Sequence, residues 1–209
     1  MKKWELLAPA EIERRSFEII RQGLLERGIA PDPEEEPVLV RCIHTSADFD
    51  YAGNLVFSRH AVSLMRDALR RGADIVTDTE MARAGINKKR LSEFGGVVRC
   101  FMSDPEVAEE AKRRGVTRAT VSMERAAELG EPCIFAVGNA PTALIRLREL
   151  MDEGRVRPAG IIAVPVGFVN VVEAKELIIG SACPHIAARG RKGGSNIAAA
   201  VCNALLYGM

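Results

Sequence analysis

Apolar positions along the chain fall into short β-rich runs separated by longer stretches of helical period. The runs are ADIVTD, GVVRCF, PCIFAVG, AGIIAVPVG and HIAARG. Between and around them lie amphipathic or alanine-rich segments: RHAVSLMRDALRRG, PEVAEEAKRRG, APTALIRLRELMDEG, VVEAKELIIG and SNIAAAVCNALLYG. Strands alternating with helices predict βα units, hence a three-layer α/β/α fold with a mostly parallel central sheet. IIAVPV suits a central strand that must end at its proline, Pro165. A first helix is expected from near Pro9 to Gly28, with proline near its start and glycine just past its end. After an acidic turn from Pro31 to Pro37, the run VLVRCIHTSA also reads as helix. One alternation is broken, because the helical TRATVSMERAAELG directly follows another helical segment. With no internal repeat and no low-complexity linker, residues 1–209 read as one α/β domain.

Composition narrows the class. At 47% hydrophobic and 27% charged residues the chain has the make-up of a globular protein, and its formal charge of +1 gives no global field for nucleic acid or an anionic membrane. The start, MKKWELLAPAEIE, has no uninterrupted apolar stretch after its lysines, so a secretory signal is not expected, and no uncharged run is long enough to cross a bilayer. The five cysteines are scattered, with no CxxC pair, which reads as reduced thiols in the cytoplasm.

In open parallel sheets, ligands collect outside the carboxyl ends of the strands. Four such ends carry unusual residues: TDTEM (77–81), GNAPTA (138–143), PVGFVN (165–170) and GRKGGSN (190–196). Glycine loops leading into helices expose backbone N–H groups suited to carboxylates or phosphates. In the last loop Gly190, Gly193 and Gly194 allow close approach of a ligand, Ser195 can cap the helix, and Arg191 and Lys192 add positive charge. Each loop taken singly reads equally well as a simple corner; four on one rim point to an anion-lined pocket. Asn139, Gly193, Gly194 and Ser195 are its candidate binding positions. No GxxxxGK[ST], no GxGxxG after the first strand, no HExxH and no GxSxG occurs, so neither a nucleotide cofactor nor a protein-bound metal is expected.

Of the three histidines, His44 points the way Val40 points, with Asp48 and Asp50 close behind. A half-buried imidazole beside carboxylates suits a proton donor near neutral pH; the alternative is a core histidine bonded to a backbone carbonyl. His60 reads as solvated and His185 as structural. Ser16 falls on the face of Ile12, Ile19, Ile20 and Gly23, where its hydroxyl either bonds back to Ile12 or reaches a ligand. Arg118, at a helix start, is a surface charge or a carboxylate fork.

The motifs SFEII, RCIHTSADFDYA, DTEMARAGI, GVTRATVSMERA, AVGNAPTALIRL, AVPVGFVNVVEAKE and RGRKGGSNIAAAVCNALL, in that order over nearly the whole chain, resemble the precorrin-8 methylmutase family of corrin biosynthesis. The resemblance implies a cofactor-free isomerase. Its reaction would move a methyl group from carbon eleven to carbon twelve of ring C, by a proton-assisted sigmatropic shift. It implies His44 as proton donor, Ser16 and Arg118 as substrate contacts, and a homodimer with its pocket at or near the subunit interface. TRA stands here where many relatives have TRS, which leaves the arginine in place. HTSADFDYA looks more like the cobalt-using members. The competing function is a corrinoid-binding, product-sequestering protein without catalysis.

Overall fold

Proline and glycine bound the first helix as expected. In the computed structural model, which describes residues 8–209, α1 runs Pro9–Glu26 and Gly28 beyond it takes φ +68°. The expectation about a leader at the N-terminus falls partly on residues 1–7, outside the described residues. Next come α2 (Glu36–Ser46), the short α3 (Tyr51–Asn54), β1 (Leu55–Phe57), α4 (Ala61–Arg70) and β2 (Asp74–Thr77). They are followed by α5 (Glu80–Gly85), α6 (Lys88–Ser92), β3 (Val98–Arg99) and the consecutive helices α7 (Pro105–Arg114) and α8 (Arg118–Ala127). The chain closes with β4 (Cys133–Val137), α9 (Pro141–Asp152), β5 (Gly160–Ala163), α10 (Val171–Ile179), β6 (His185–Ala188) and α11 (Ser195–Tyr207).

Among the described residues the strands form one six-stranded sheet in the order β1-β6-β5-β4-β2-β3, parallel throughout except for β1 against β6. Strand side chains alternate between two apolar layers. Ile134, Ala136, Ile162, Val164 and Ile186 face the layer made with α2, α4 and α11, whereas Cys133, Phe135, Val137, Ile161, Ala163 and Ala187 face α8, α9 and α10. Helices thus cover both faces, the three-layer arrangement the pattern predicts. β5 ends two residues before Pro165, so the proline stays out of the ladder. The edge strand β1 was not expected: it is a three-residue piece with no alternation, defined by its pairing to residues 186–188.

Because β2, β4, β5 and β6 run parallel, the segments after Thr77, Val137, Ala163 and Ala188 emerge on one rim. The chain leaves β2 towards β3 on one side and leaves β4 towards β5 on the other. The carboxyl ends of β2 and β4 therefore flank the switch point where open α/β sheets bind ligands. No helix among the described residues is long and apolar enough to cross a membrane.

Candidate functional site

The switch point is closed by the protein's own carboxylate. Asp78, the residue after β2, is fully buried; it accepts the Gly138 N–H on Oδ1 at 2.8 Å and the Asn139 and Ala140 N–H groups on Oδ2 at 2.8 and 2.6 Å. Burial pushes its carboxyl above the ordinary range, and the three amides pull it back towards the anion. This corrects one expectation. The GNAPTA loop was read as a source of free amides for a ligand, but the amides of 138–140 are already spent on Asp78. What the loop still offers is the Asn139 side chain, which stands exposed.

The 190–196 loop is also built differently from its reading. Gly193 takes φ +157°, and a Cβ there would lie 2.1 Å from the Val164 carbonyl oxygen; the Gly194 N–H donates to that same oxygen at 2.9 Å. Gly193 therefore lacks a side chain because the segment after β5 passes there, and Gly194 because the Asn196 side chain does, its Oδ1 2.5 Å from where a Cβ would stand. A Cβ on Gly138 would meet the backbone of Ser195 at 2.7 Å, so three rim loops lock together. Ser195 does not cap the helix: Gly194 is the cap residue, Ser195 is the first residue of α11, and its hydroxyl pairs with Thr79 Oγ1 at 2.8 Å. Lys192 is neutralised, its Nζ lying 2.5 Å from Asp48 and 2.6 Å from Asp50. Those acids were expected beside His44; they latch the turn after α2 to the glycine loop instead, and Lys192 holds the Asp48 carboxyl below its usual range.

His44 is exposed, not half-buried. A four-residue step turns about 40° around a helix axis, so in the last turn of α2 the side chain leaves the face that buries Val40. The ring stands edge-on to Phe17, centroids 5.2 Å apart at 87°, and neither nitrogen makes a hydrogen bond to a described residue. His185 is the opposite case: buried, with Nδ1 2.9 Å from the Cys183 carbonyl oxygen, the structural role expected of it. His60 is exposed as expected. Ser16, next to Phe17 on α1, donates its hydroxyl to the Ile12 carbonyl at 2.7 Å, the local outcome of the two considered. Arg41, one turn before His44, lies over Phe17 at 5.0 Å and over Tyr207 at 4.9 Å, and pairs with Glu13 at 3.1 Å.

Arg118 opens α8 beyond the cap Thr117, whose Oγ1 lies 2.8 Å from Thr142 Oγ1 at the start of α9. That contact sets Arg118 beside the 138–142 loop. Most arginines of the chain are ion-paired, yet Arg118 has no carboxylate among the described residues and makes only a 3.5 Å contact to the Met102 carbonyl. Arg191 lies 5.7 Å over the exposed Phe168 ring and likewise meets no described carboxylate.

The candidates fall into two groups. Ser16 and His44 meet through Phe17 where α1 packs on α2; Arg118, Asn139, Gly193, Gly194 and Ser195 line the rim. The Lys192 latch to Asp48 and Asp50 joins the groups, and no hydrogen bond links His44 to the other candidates directly. Sequence reading assigns no role of their own to Asp78, inside the TDTEM loop, or to Lys175. Asp78 closes a strand-like run, and Lys175 looks like a solvated charge on an amphipathic helix, whereas it is fully buried behind the 190–192 loop.

Comparison with known proteins converges on one group. The profile of the precorrin-8X methylmutase family matches residues 11–208. A cobalt-precorrin-8 methylmutase of Salmonella typhimurium is 47% identical over 205 residues, covering 95% of each chain. One from Priestia megaterium is 41% identical, covering 94% of this chain and 87% of the relative. The crystal structure of a precorrin-8x methyl mutase from Thermus thermophilus superimposes with a TM-score of 0.85 at 39% identity, over 94% of this chain and 96% of that one.

Proposed function

Because the chain belongs to the precorrin-8X methylmutase family, we propose that it is an isomerase acting on precorrin-8 or its cobalt form, moving a methyl group from carbon eleven to carbon twelve of ring C. The observation that carries the catalytic assignment is the contrast between His44 and His185. A structural histidine is buried and bonded, as His185 is. His44 is exposed with both nitrogens uncommitted among the described residues, which suits a proton donor to a ligand arriving from outside.

Protonation of ring C by His44 would draw electron density from the migrating centre, and such help is worth about two to four powers of ten in rate. Holding the macrocycle in one reactive shape would supply much of the remainder. Arg118 and Arg191, without described acid partners, are suited to carboxylates at the macrocycle's edge. Asn139 presents its amide from the rim. Gly193, Gly194 and Ser195 act by fixing that rim's shape, and Ser16 contacts substrate beside His44. Ile12, Ile19 and Leu25 stand exposed along α1, the helix that bears Ser16, which supports a homodimer with its pocket near the subunit boundary. The reaction needs no cofactor, and the cytoplasm is the proposed compartment. The 47% identity to the cobalt-precorrin-8 methylmutase of Salmonella typhimurium, together with the HTSADFDYA stretch, favours the cobalt substrate.

The test is a turnover assay by corrin absorption, run in parallel with metal-free and cobalt substrates on the wild type and on His44→Ala. Conversion by the wild type and its loss by about two to four powers of ten in the variant, with binding and melting temperature retained, is the expected result. Binding without conversion by the wild type would instead make this a corrinoid-sequestering protein. Full activity in His44→Ala would remove the proton-donor assignment.

A further inference from the structure

We infer that Lys175 is a positioning residue: from beneath the 190–192 segment its ammonium fixes the backbone that receives substrate carboxylates, and so sets affinity rather than the chemical step. The inference rests on the methylmutase reading above.

Lysine is almost never fully buried unless an acid accompanies it. Lys175, on the inward side of α10, is 0% exposed and has no carboxylate within ion-pair distance among the described residues. Its sequence neighbours Glu173 and Glu176 lie on the exposed side of α10, and Glu176 pairs with Arg189. Its Nζ donates instead to the carbonyls of Gly190 and Lys192, each at 2.8 Å. Core packing alone would be served by methionine, which fills a similar space without a charge to desolvate. The ammonium must therefore be explained by what it does to the loop.

A trans peptide sets its N–H opposite its C=O. With the carbonyls of 190 and 192 drawn towards Lys175, the N–H groups of Arg191 and Gly193 point away from it, and neither donates to a protein acceptor among the described residues. Positive charge behind the loop and outward amides in front of it both favour an anion. The neighbouring 138–140 loop is the reverse case, its three amides consumed by the buried Asp78. Carboxylate reception on this rim thus passes to the 190–193 segment, and Lys175 is what shapes it.

The experiment uses the full chain as wild type, Lys175→Met and Lys175→Gln, with steady-state kinetics and amide hydrogen exchange read over residues 189–197. Hydrogen bonds from a charged donor predict a KM raised by about tenfold or more in Lys175→Met, with kcat at saturation within roughly threefold, and faster exchange at 190–193. Lys175→Gln keeps a donor without the charge and should fall between; it also carries the test if the methionine variant does not fold. Unchanged KM and unchanged exchange overturn the inference, as does a loss confined to kcat. Absence of turnover in the wild type would defeat the methylmutase reading alone, since loop exchange still decides whether Lys175 holds the segment.

Discussion

Replacing Asp78 by alanine would withdraw the acceptor of three backbone amides in one step. Gly138 and Ala140 are buried, whereas Asn139 lies where water can reach it, so two donors are left stranded. A stranded buried donor costs about 1–3 kcal/mol, giving about 2–6 kcal/mol for the pair. Relief of the carboxylate's own desolvation, the effect that pushes its carboxyl upward, offsets part of this. A net loss of about 2–4 kcal/mol is reasonable, and at about 2–4 °C per kcal/mol for a chain of this length the melting temperature should fall by roughly 4–16 °C. Asp78→Asn keeps one acceptor oxygen but turns an amide N–H₂ towards N–H donors, so its loss should be a substantial part of that in the alanine variant. Thermal melts by circular dichroism with urea titrations for both variants measure the effect. A melting temperature for Asp78→Ala within about 2 °C of wild type, under 1 kcal/mol, would mean that the 138–140 amides find other partners, and that the carboxylate does not hold the switch point shut.

Two further outcomes follow from the rim. Gly193→Ala must place a Cβ 2.1 Å from the Val164 oxygen at φ +157°, so the steric overlap adds to a backbone strain of about 1–3 kcal/mol; Gly190→Ala, at φ +78° with open space around it, carries only the strain of about 1–2 kcal/mol, and equal melting temperatures for the two would refute the close approach. Burial lowers the Lys175 pKa from 10.5 to about 8, about 3 kcal/mol against the charged form. Between pH 8 and 10.5 the unfolded chain then holds more protons than the folded one, so this group makes stability rise with pH across that window. Subtracting the urea-derived stability of Lys175→Met from that of the wild type should reveal the rise, and a flat difference would show that the lysine is not desolvated.

How much of this could be read in the sequence depended on distance along the chain. The parallel strands were legible because their runs, such as IFAV and GIIA, are dense in residues that pack a two-sided sheet. β1 was not, because three residues carry no period and their partner lies more than a hundred positions away. Helical period set His44 in line with Val40, but it says nothing about where the packed face runs out, and the structure leaves the ring exposed. Asp78 and Lys175 look like any strand-end acid and helix-surface base; their meaning comes from loops about 60 and 15 residues further on. The closeness of Asp48 and Asp50 to His44, four and six positions on, suggested a partnership that the fold gives to Lys192.

The sheet ends on one side in a three-residue strand and on the other in a two-residue strand. Borders that brief offer a visiting strand too few free peptide groups to grip. Growth by adding strands, whether in an orderly assembly or in a fibre, is thereby foreclosed. Any lasting association between copies has to be made by side chains, and the exposed isoleucines of α1 are where such an association would be felt first if they were replaced by charged residues.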